Sequence, residues 1–383
     1  IYKEESLIID EIDQLTYQTI IQLIREEYKK GDVSVKRLSQ IIRRIMPDVK
    51  DLKKLLPQLK QTLLADGMTI TEFLELTNEL NKELRSDGLM EALEEGAEGV
   101  GLLRSEFLYL ERDSLPTEEE QYEKYKTIAD AFGDKPVILR TLDIGGDKDI
   151  PYIIMPNEDN PFLGVRALRL CLERPDIFKP QLRAALRAGV GNNLKLMFPM
   201  VGSVADVDST RQVLEECRTE LKAEGYEVAD MMEIGIMIEI PSAAIIADQL
   251  AEVVDFFSIG TNDLSQYTMA ADRTNAKVAP LASGFQPAVF RLIKNVIDAA
   301  HEKGKWVGLC GEMAGELLAI PILLGLGLDE FSMNPPAIPF AKRLIRSISR
   351  AHAQEVADTV LSMKSDQEIR EYIQQAVPEV NIG

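Results

Sequence analysis

Hydrophobic positions along this chain follow two different periods. Up to about residue 70, apolar residues in LIIDEIDQLTYQTIIQLI, VKRLSQIIRRI and VKDLKKLLPQLKQTLL recur every three or four positions among Glu, Lys and Arg, which predicts three amphipathic helices. Ser34 and Asp48 are N-cap candidates, and Pro47 marks a break. Further along, short apolar runs bounded by Gly, Pro, Asn or Asp take over. They are GLLRSE (101–106), VILRTLDIGGDK (137–148), LKLMFPM (194–200), IGIMIEIPS (234–242), VDFFSIGTNDLSQ (254–266), WVGLCGEM (306–313) and LDEFSM (328–333). Such runs suit strands covered on both faces, and helical stretches separate most of them. A parallel sheet with helical crossovers follows, and an α/β fold of the (β/α)8 TIM-barrel type is the economical closure. FLELTN at 73–78 is the expected first strand, although TEFLELTNELNKEL satisfies helical spacing as well. A helix is expected at 89–96. The excursion between VILRTLDIGGDK and LKLMFPM is too long for a bare loop and predicts a short hairpin and two helices. The tail from 337 predicts three more helices, in IPFAKRLIRSI, AHAQEVADTVLSM and SDQEIREYIQQAV. The expected organisation is a helical module over 1–70 and a barrel with C-terminal helices over 71–383.

At 383 residues and 45% hydrophobic content, the chain can bury one barrel-sized core and carry an appendage. A formal net charge of −20 repels nucleic acid and anionic lipid, so neither is an expected partner. No apolar run approaches the ~18 residues that span a bilayer. The first residues, IYKEESLIIDEID, carry charges where a signal peptide needs an apolar stretch. A cytoplasmic protein is expected, and the opening Ile1 in place of Met fits an excised piece. Cys171, Cys217 and Cys310 lack the paired spacing of disulfides or zinc sites, and His301 and His352 are the only histidines.

If the barrel is right, its chemistry gathers where the strands end. Arg104 and Arg140 each interrupt an apolar run, Arg166 follows in NPFLGVRALR, and Arg273 lies in AADR. Arginine binds carboxylate and phosphate bidentately, so four of them at one mouth point to a small polyanion. Any one alone is equally explained by an internal ion pair. Glu239 and Asp263 end apolar runs and suit Mg²⁺, which takes one or two carboxylates and substrate oxygens, or else they pair with the arginines. Asn262 offers an amide to a phosphate oxygen, and Gly260 a close backbone approach to an anion. Asp143 and Lys148 end the same run as Arg140. Cys171 and Cys217 read as inert buried thiols on helices. Cys310 sits at the mouth with Glu312 nearby and without a histidine partner, which favours a proton donor to carbon over a nucleophile. Thr117 followed by Glu118, Glu119 and Glu120 reads as a structural capping box.

GLLRSEFLYLERDSLPTEEEQY, RTLDIGGDK, NPFLGVRALRLCLERPDIF, MFPMV, IEIPSAA, DFFSIGTNDLSQYTMAADR, GKWVGLCGEMAGE and GLGLDEFSM occur in this order. Together they resemble the phosphoenolpyruvate-binding barrel of the Enzyme I family, the phosphoenolpyruvate-protein phosphotransferases of bacterial sugar transport. The likeness runs from about residue 88 to about 350. Pyruvate phosphate dikinase and phosphoenolpyruvate synthase share the barrel, but TNDLSQYTMAADR and CGEMAGE are closer to Enzyme I. The resemblance implies that Arg104, Arg140, Arg166 and Arg273 hold the phosphate and carboxylate of phosphoenolpyruvate, that Asn262 contacts the phosphate, and that Glu239 and Asp263 bind Mg²⁺. It implies that Cys310 donates the proton that turns the enolate into pyruvate. It further implies a homodimer, a phosphohistidine domain and a small phosphocarrier protein as partners.

The chain also departs from that pattern. No histidine precedes His301, so the first 300 residues lack the family's phosphoryl acceptor. The segment 1–70 does not resemble the family's histidine domain, and TNAKVAPLASGFQPAVF and FSMNPPAIP differ from the usual loops. The expected activity is phosphoenolpyruvate- and Mg²⁺-dependent phosphoryl transfer to a histidine on another domain or chain. The alternatives are a non-catalytic module that senses phosphoenolpyruvate, and the barrel of a dikinase-like enzyme.

Overall fold

In a computed structural model, the structure describes residues 91–381 apart from residues 111, 147–149, 151, 154 and 156. The helical module expected at 1–70, the strand expected at 73–78, the start of the helix expected at 89–96 and Lys148 lie outside the described residues. The second of the chain's two units, Ala92–Gly383, holds the sheet.

Seven parallel strands follow one another in chain order: β1 (Val100–Arg104), β2 (Val137–Arg140), β3 (Leu194–Phe198), β4 (Ile234–Ile238), β5 (Phe256–Ile259), β6 (Trp306–Leu309) and β7 (Glu330–Phe331). Each pairs with its sequence neighbour. Consecutive parallel order with helical crossovers is a (β/α) barrel. Its two ends approach one another: a Cβ on Gly101 of β1 would stand 2.0 Å from Oε1 of Glu330 on β7. Every described strand matches one of the apolar runs, β1 starting one residue ahead of its run, and each is shorter than its run. Arg104 and Arg140 close β1 and β2, whereas Asp143, Glu239 and Asp263 lie in the segments that follow their strands, which frees their side chains for the mouth.

The crossovers are α1 (Glu118–Phe132), α2 (Leu168–Glu173), α3 (Pro175–Ala188), α4 (Val204–Ala223), α5 (Pro241–Ile245), α6 (Ala247–Leu250), α7 (Thr261–Met269), α8 (Pro287–Glu302) and α9 (Ile320–Leu326). The tail forms α10 (Ile338–Ser347), α11 (Arg350–Val360) and α12 (Asp366–Ala376), as the sequence predicts. The excursion after β2 holds the two expected helices, α2 and α3. In place of the hairpin, its described residues show a short 3-10 turn at Pro161–Leu163, where PNEDNPFLG has too many turn formers to keep two strands paired. Thr117 caps α1 in the expected capping box with Glu120.

Strand periodicity divides the core into two layers. Inside the barrel, Ile138, Met197, Met237, Phe256 and Cys310 form one cluster. Outside, Leu196, Phe198, Ile236, Phe257, Val307 and Leu309 are sealed under the helices, with Phe198 edge-on to Phe178 of α3 at 6.3 Å. Truncating Phe257 to Ala in this outer layer is expected to cost about 3–5 kcal/mol. Cys171 on α2 and Cys217 on α4 are buried there, and burial pushes both thiols up, as expected of inert cysteines.

Candidate active site

Parallel register delivers the ends of neighbouring strands to one level. Arg104 pairs with Arg140 in the β1–β2 ladder, so two guanidinium groups leave adjacent strands side by side. They differ in environment. Arg104 is exposed at the rim, whereas Arg140 is 5% exposed. Arg140 is ion-paired to Glu106, and lies 3.1 Å from Asp143. Burial works against its charge, but Glu106, Asp143 and Glu239 outweigh burial and raise its pKa.

Arg166 is carried into the mouth by the loop before α2. Gly145, at φ 111°, lies so close that a Cβ there would stand 2.5 Å from Cβ of Arg166. The Gly-Gly turn of RTLDIGGDK is therefore what lets the two segments meet. Arg166 donates from Nη2 to both Asp143 oxygens at 3.0 and 3.1 Å and from Nε to one of them at 3.3 Å, and reaches Asp263 and the Tyr267 hydroxyl at 3.1 Å each. Tyr267 donates its own proton to the carbonyl of Phe162 at 2.6 Å. Burial again opposes the charge, and Asp143 and Asp263 more than restore it. Arg273, half-buried, lies 3.6 Å from the second oxygen of Asp263.

Glu239, 1% exposed, follows β4 and accepts the Met200 N–H at 2.6 Å. Met200 adopts φ 56°, a left-handed backbone rare outside glycine, to present that N–H. Burial first, then Asp263 and Asp143, push Glu239 up to about 8. Arg166 and Arg140 oppose the rise without cancelling it. Among the described residues no group of three or more His, Cys, Asp or Glu forms a metal cage. Two carboxylates with unrelieved mutual repulsion do fit the mode in which Mg²⁺ takes one or two protein oxygens and completes its shell with water and substrate.

Cys310 follows β6 at 8% exposure, with its N–H on the Ile259 carbonyl at 3.0 Å and its sulfur 3.7 Å from the same oxygen. Burial pushes the thiol up to about 12, so it keeps its proton at neutral pH. Asn262, in the first turn of α7, accepts the Glu312 N–H at 3.1 Å through its side-chain oxygen. That bond turns the amide N–H₂ towards any ligand. Gly260 does not act as expected. Its N–H is committed to the Ile238 carbonyl at 3.0 Å, and the missing side chain instead admits Met237 and Glu239, whose Sδ and Cβ would lie 3.0 and 3.2 Å from a Cβ there.

The strand ends therefore bring Arg140, Arg166, Glu239, Asp263 and Arg273 into one charge web, with Arg104 at its rim. A pocket of about 370 Å³ opens beside the web, lined in part by Asn262, Ser265, Arg273, Glu312 and Arg370; Arg140, Glu239 and Cys310 do not line it. Glu106 and Tyr267 belong to the web without having been expected. The signals were present: Glu106 is a carboxylate two positions past Arg104 in an apolar run, and Tyr267 stands one helical turn after Asp263. Of the histidines, His301 on α8 is tied to Asp329 at 2.8 Å and His352 on α11 lies 3.1 Å from the Ala376 carbonyl, both exposed.

The family model described as "PEP-utilising enzyme, PEP-binding domain" matches residues 59–350. The phosphoenolpyruvate-protein phosphotransferase of Staphylococcus carnosus is 55% identical over 283 residues, covering 74% of this chain and 49% of that protein. The protein of the same name from Bacillus subtilis is 53% identical over 289 residues, covering 76% and 51%. That from Staphylococcus epidermidis is 48% identical over 332 residues, covering 87% and 56%. The chain spans about half the length of the curated relatives it matches.

Proposed function

This chain belongs to the PEP-utilising enzymes through their PEP-binding domain, and we propose that it is the phosphoenolpyruvate-cleaving half of a phosphoenolpyruvate-protein phosphotransferase. Arg104, Arg140, Arg166 and Arg273 take the phosphate and carboxylate of phosphoenolpyruvate, and Asn262 gives its amide to a phosphate oxygen. Glu239 and Asp263 would hold Mg²⁺, which would supply positive charge to the phosphate oxygens. The phosphorus–oxygen bond breaks as a nitrogen–phosphorus bond forms on a histidine of another domain or chain. The enolate left behind takes the Cys310 proton at C3, which yields pyruvate and a thiolate. A thiol that holds its proton at neutral pH, under the influence of the buried Arg140 that Asp143 ties to Arg166, is the observation that carries this reading.

Substrate binding must exchange partners, because Arg140 and Arg166 are already paired to carboxylates. The incoming polyanion takes their place, and a bound cation would offset the charge of the carboxylates it displaces. Calorimetry with phosphoenolpyruvate tests this: binding is expected with Mg²⁺ present and is lost without it. Pyruvate is expected once a family histidine domain is supplied, and its absence under those conditions overturns the phosphotransferase reading.

A module that senses phosphoenolpyruvate without turning it over is favoured by one observation, that neither His301 nor His352 is engaged at the mouth. It predicts the same binding with no pyruvate. The remaining elements of the proposal are a helical module over 1–70 ahead of a barrel over 71–383, a cytoplasmic homodimer, and a phosphocarrier protein as the downstream partner. No described helix is long and apolar enough to cross a membrane. Light scattering of the purified chain checks the dimer.

A further inference from the structure

One layer below Cys310, the barrel interior holds polar groups for which the site above has no use. Ser258 on β5 pairs with Gly308 on β6, and Gly308 with Glu330 on β7, so the three lie side by side across adjacent strands. Gly308 precedes Cys310 by two positions and shares its face of the strand. A Cβ on Gly308 would stand 2.1 Å from Oε2 of Glu330, as one on Gly101 would stand 2.0 Å from Oε1. The carboxyl occupies space that exists only because both neighbours are glycine. Its Oε2 and the Ser258 hydroxyl are buried, and neither has a hydrogen-bond partner. Leaving two buried polar groups unpaired costs stability, so packing alone does not account for them.

The two groups act on the thiol. After burial, which dominates, the Ser258 hydroxyl favours ionisation of Cys310 and the Glu330 charge opposes it. Ser258 is thus close to the sulfur, though outside hydrogen-bonding geometry in this arrangement. Burial pushes Glu330 up to about 7, so it carries a proton for much of the time near neutral pH. Glu330 as a residue is only half-buried, although its Oε2 is sealed from solvent.

We propose that Glu330 restores the proton of Cys310 between turnovers, with Ser258 as the intermediate carrier across the opening left by Gly308. Glu330 is then a positioning residue that acts through the thiol and does not touch substrate. The proposal rests on the reading of Cys310 as the donor to C3. In the first step the enolate carbon takes the proton from Sγ; the C–H bond forms, the S–H bond breaks, and the electron pair stays on sulfur. The thiolate then takes the Ser258 hydroxyl proton while Ser258 Oγ takes the proton of Glu330. Glu330 is left as carboxylate and regains a proton from water, so no other reactant is needed.

The first turnover draws on the proton already on Cys310, and only later ones need the relay. The test is a rapid-quench time course of pyruvate formation by the full chain, with phosphoenolpyruvate, Mg²⁺ and an excess of a family histidine domain. For Glu330→Gln, an isosteric change, a first-turnover burst at the wild-type rate is expected, followed by steady-state turnover slowed roughly 10- to 100-fold. Gly308→Ala, which displaces the carboxyl without removing it, is expected to behave alike, and Glu330→Asp to recover part of the rate. Burst and steady state slowed together, or neither slowed, overturns the relay and leaves the proposed function standing. Wild-type protein that binds no phosphoenolpyruvate and forms no pyruvate overturns the proposed function, and the relay with it.

Discussion

The two ends of the barrel both bury cations, and they do so in opposite ways. At the floor, Lys195 of β3 is 8% exposed, is salt-bridged to Glu233 just ahead of β4, and lies 5.8 Å over the ring of Trp306. Trp306 stacks on Phe256 at 4.5 Å and donates its ring N–H to Glu233 at 3.3 Å. One cation meets one carboxylate, and every polar atom of this set has a partner. At the mouth, Arg140 and Arg166 face Glu106, Asp143, Glu239 and Asp263, with Arg273 at the edge. Carboxylates outnumber buried arginines there, and burial first, then the neighbouring Asp263 and Asp143, pushes Glu239 up. The floor is neutral and closed, as a structural end should be. The mouth has more negative charge than it can neutralise and holds arginines that a better anion can recruit, which is the signature of a site that handles charged ligands.

Removing one cation from each end gives the sharpest contrast, and Arg166→Met is the larger effect. It leaves Asp143 and Asp263 buried without their shared arginine, and breaking a buried pair in this way costs roughly 3–5 kcal/mol. Urea denaturation measures the loss, which should be accompanied by failure to bind phosphoenolpyruvate. Stability within about 1 kcal/mol of wild type would mean that the web carries no more than a surface ion pair does.

The next effect depends on pH. Glu239 titrates near 4.5 when unfolded and is raised to about 8 in the fold. The folded state therefore binds the extra proton between those values. The stability this contributes is fully present below about 4.5 and is lost as pH rises through about 8. Glu239→Gln, which stays neutral throughout, should flatten that decline and make the protein more stable than wild type above pH ~8. Added Mg²⁺ should raise the melting temperature of the wild type at that pH and leave the variant unmoved. Parallel pH–stability curves for the two proteins would show that the mouth is not over-supplied with negative charge.

Arg104 probes the rim, where the contrast predicts an effect on ligand alone. Its exposed side chain is expected to contribute little to stability, so Arg104→Ala should stay within about 0.5 kcal/mol of wild type. Phosphoenolpyruvate affinity should fall by roughly tenfold, the worth of about one charged hydrogen bond. Unchanged affinity would place the anion deeper, on Arg140 and Arg166.

Much of this was legible in the sequence, because the strands sit in apolar runs whose ends carry the chemistry. Strand limits were less legible: VDFFSIGTNDLSQ is strand only over Phe256–Ile259 and helix from Thr261, since Thr-Asn-Asp begins a helical turn as readily as it ends a strand. Pairings were not legible at all. Arg166 and Asp263 lie 97 positions apart, and no local pattern says that the closure of the sheet joins them. Gly260 was misjudged because a glycine reads alike whether it admits a ligand or a neighbour's side chain. Ser258 and Glu330 each interrupt an apolar stretch, as Arg140 does, but only the ladder shows that they flank Gly308 beneath Cys310. The family match begins at residue 59, inside the stretch read as a separate helical module.

The smallest expected effect is at the floor, and it completes the contrast. Lys195→Met keeps the length and apolar stem of the side chain, so the contact with Trp306 survives the loss of charge. Glu233, whose side chain is 41% exposed, is left without its cation but with water and the Trp306 N–H as partners. An exposed carboxylate does not lose a buried cation as Asp143 and Asp263 would with Arg166, and replacing a buried charge by an apolar group of similar volume is often neutral. The change in unfolding free energy should therefore be within about 1 kcal/mol, against several for Arg166→Met. Phosphoenolpyruvate binding should be unchanged, because the floor lies at the opposite end of the strands from every residue assigned to the ligand. Calorimetry and urea denaturation on the pair of variants decide it. A Lys195 variant that loses binding would mean that the two ends are coupled through the barrel interior, and that the division between a structural floor and a reactive mouth is wrong.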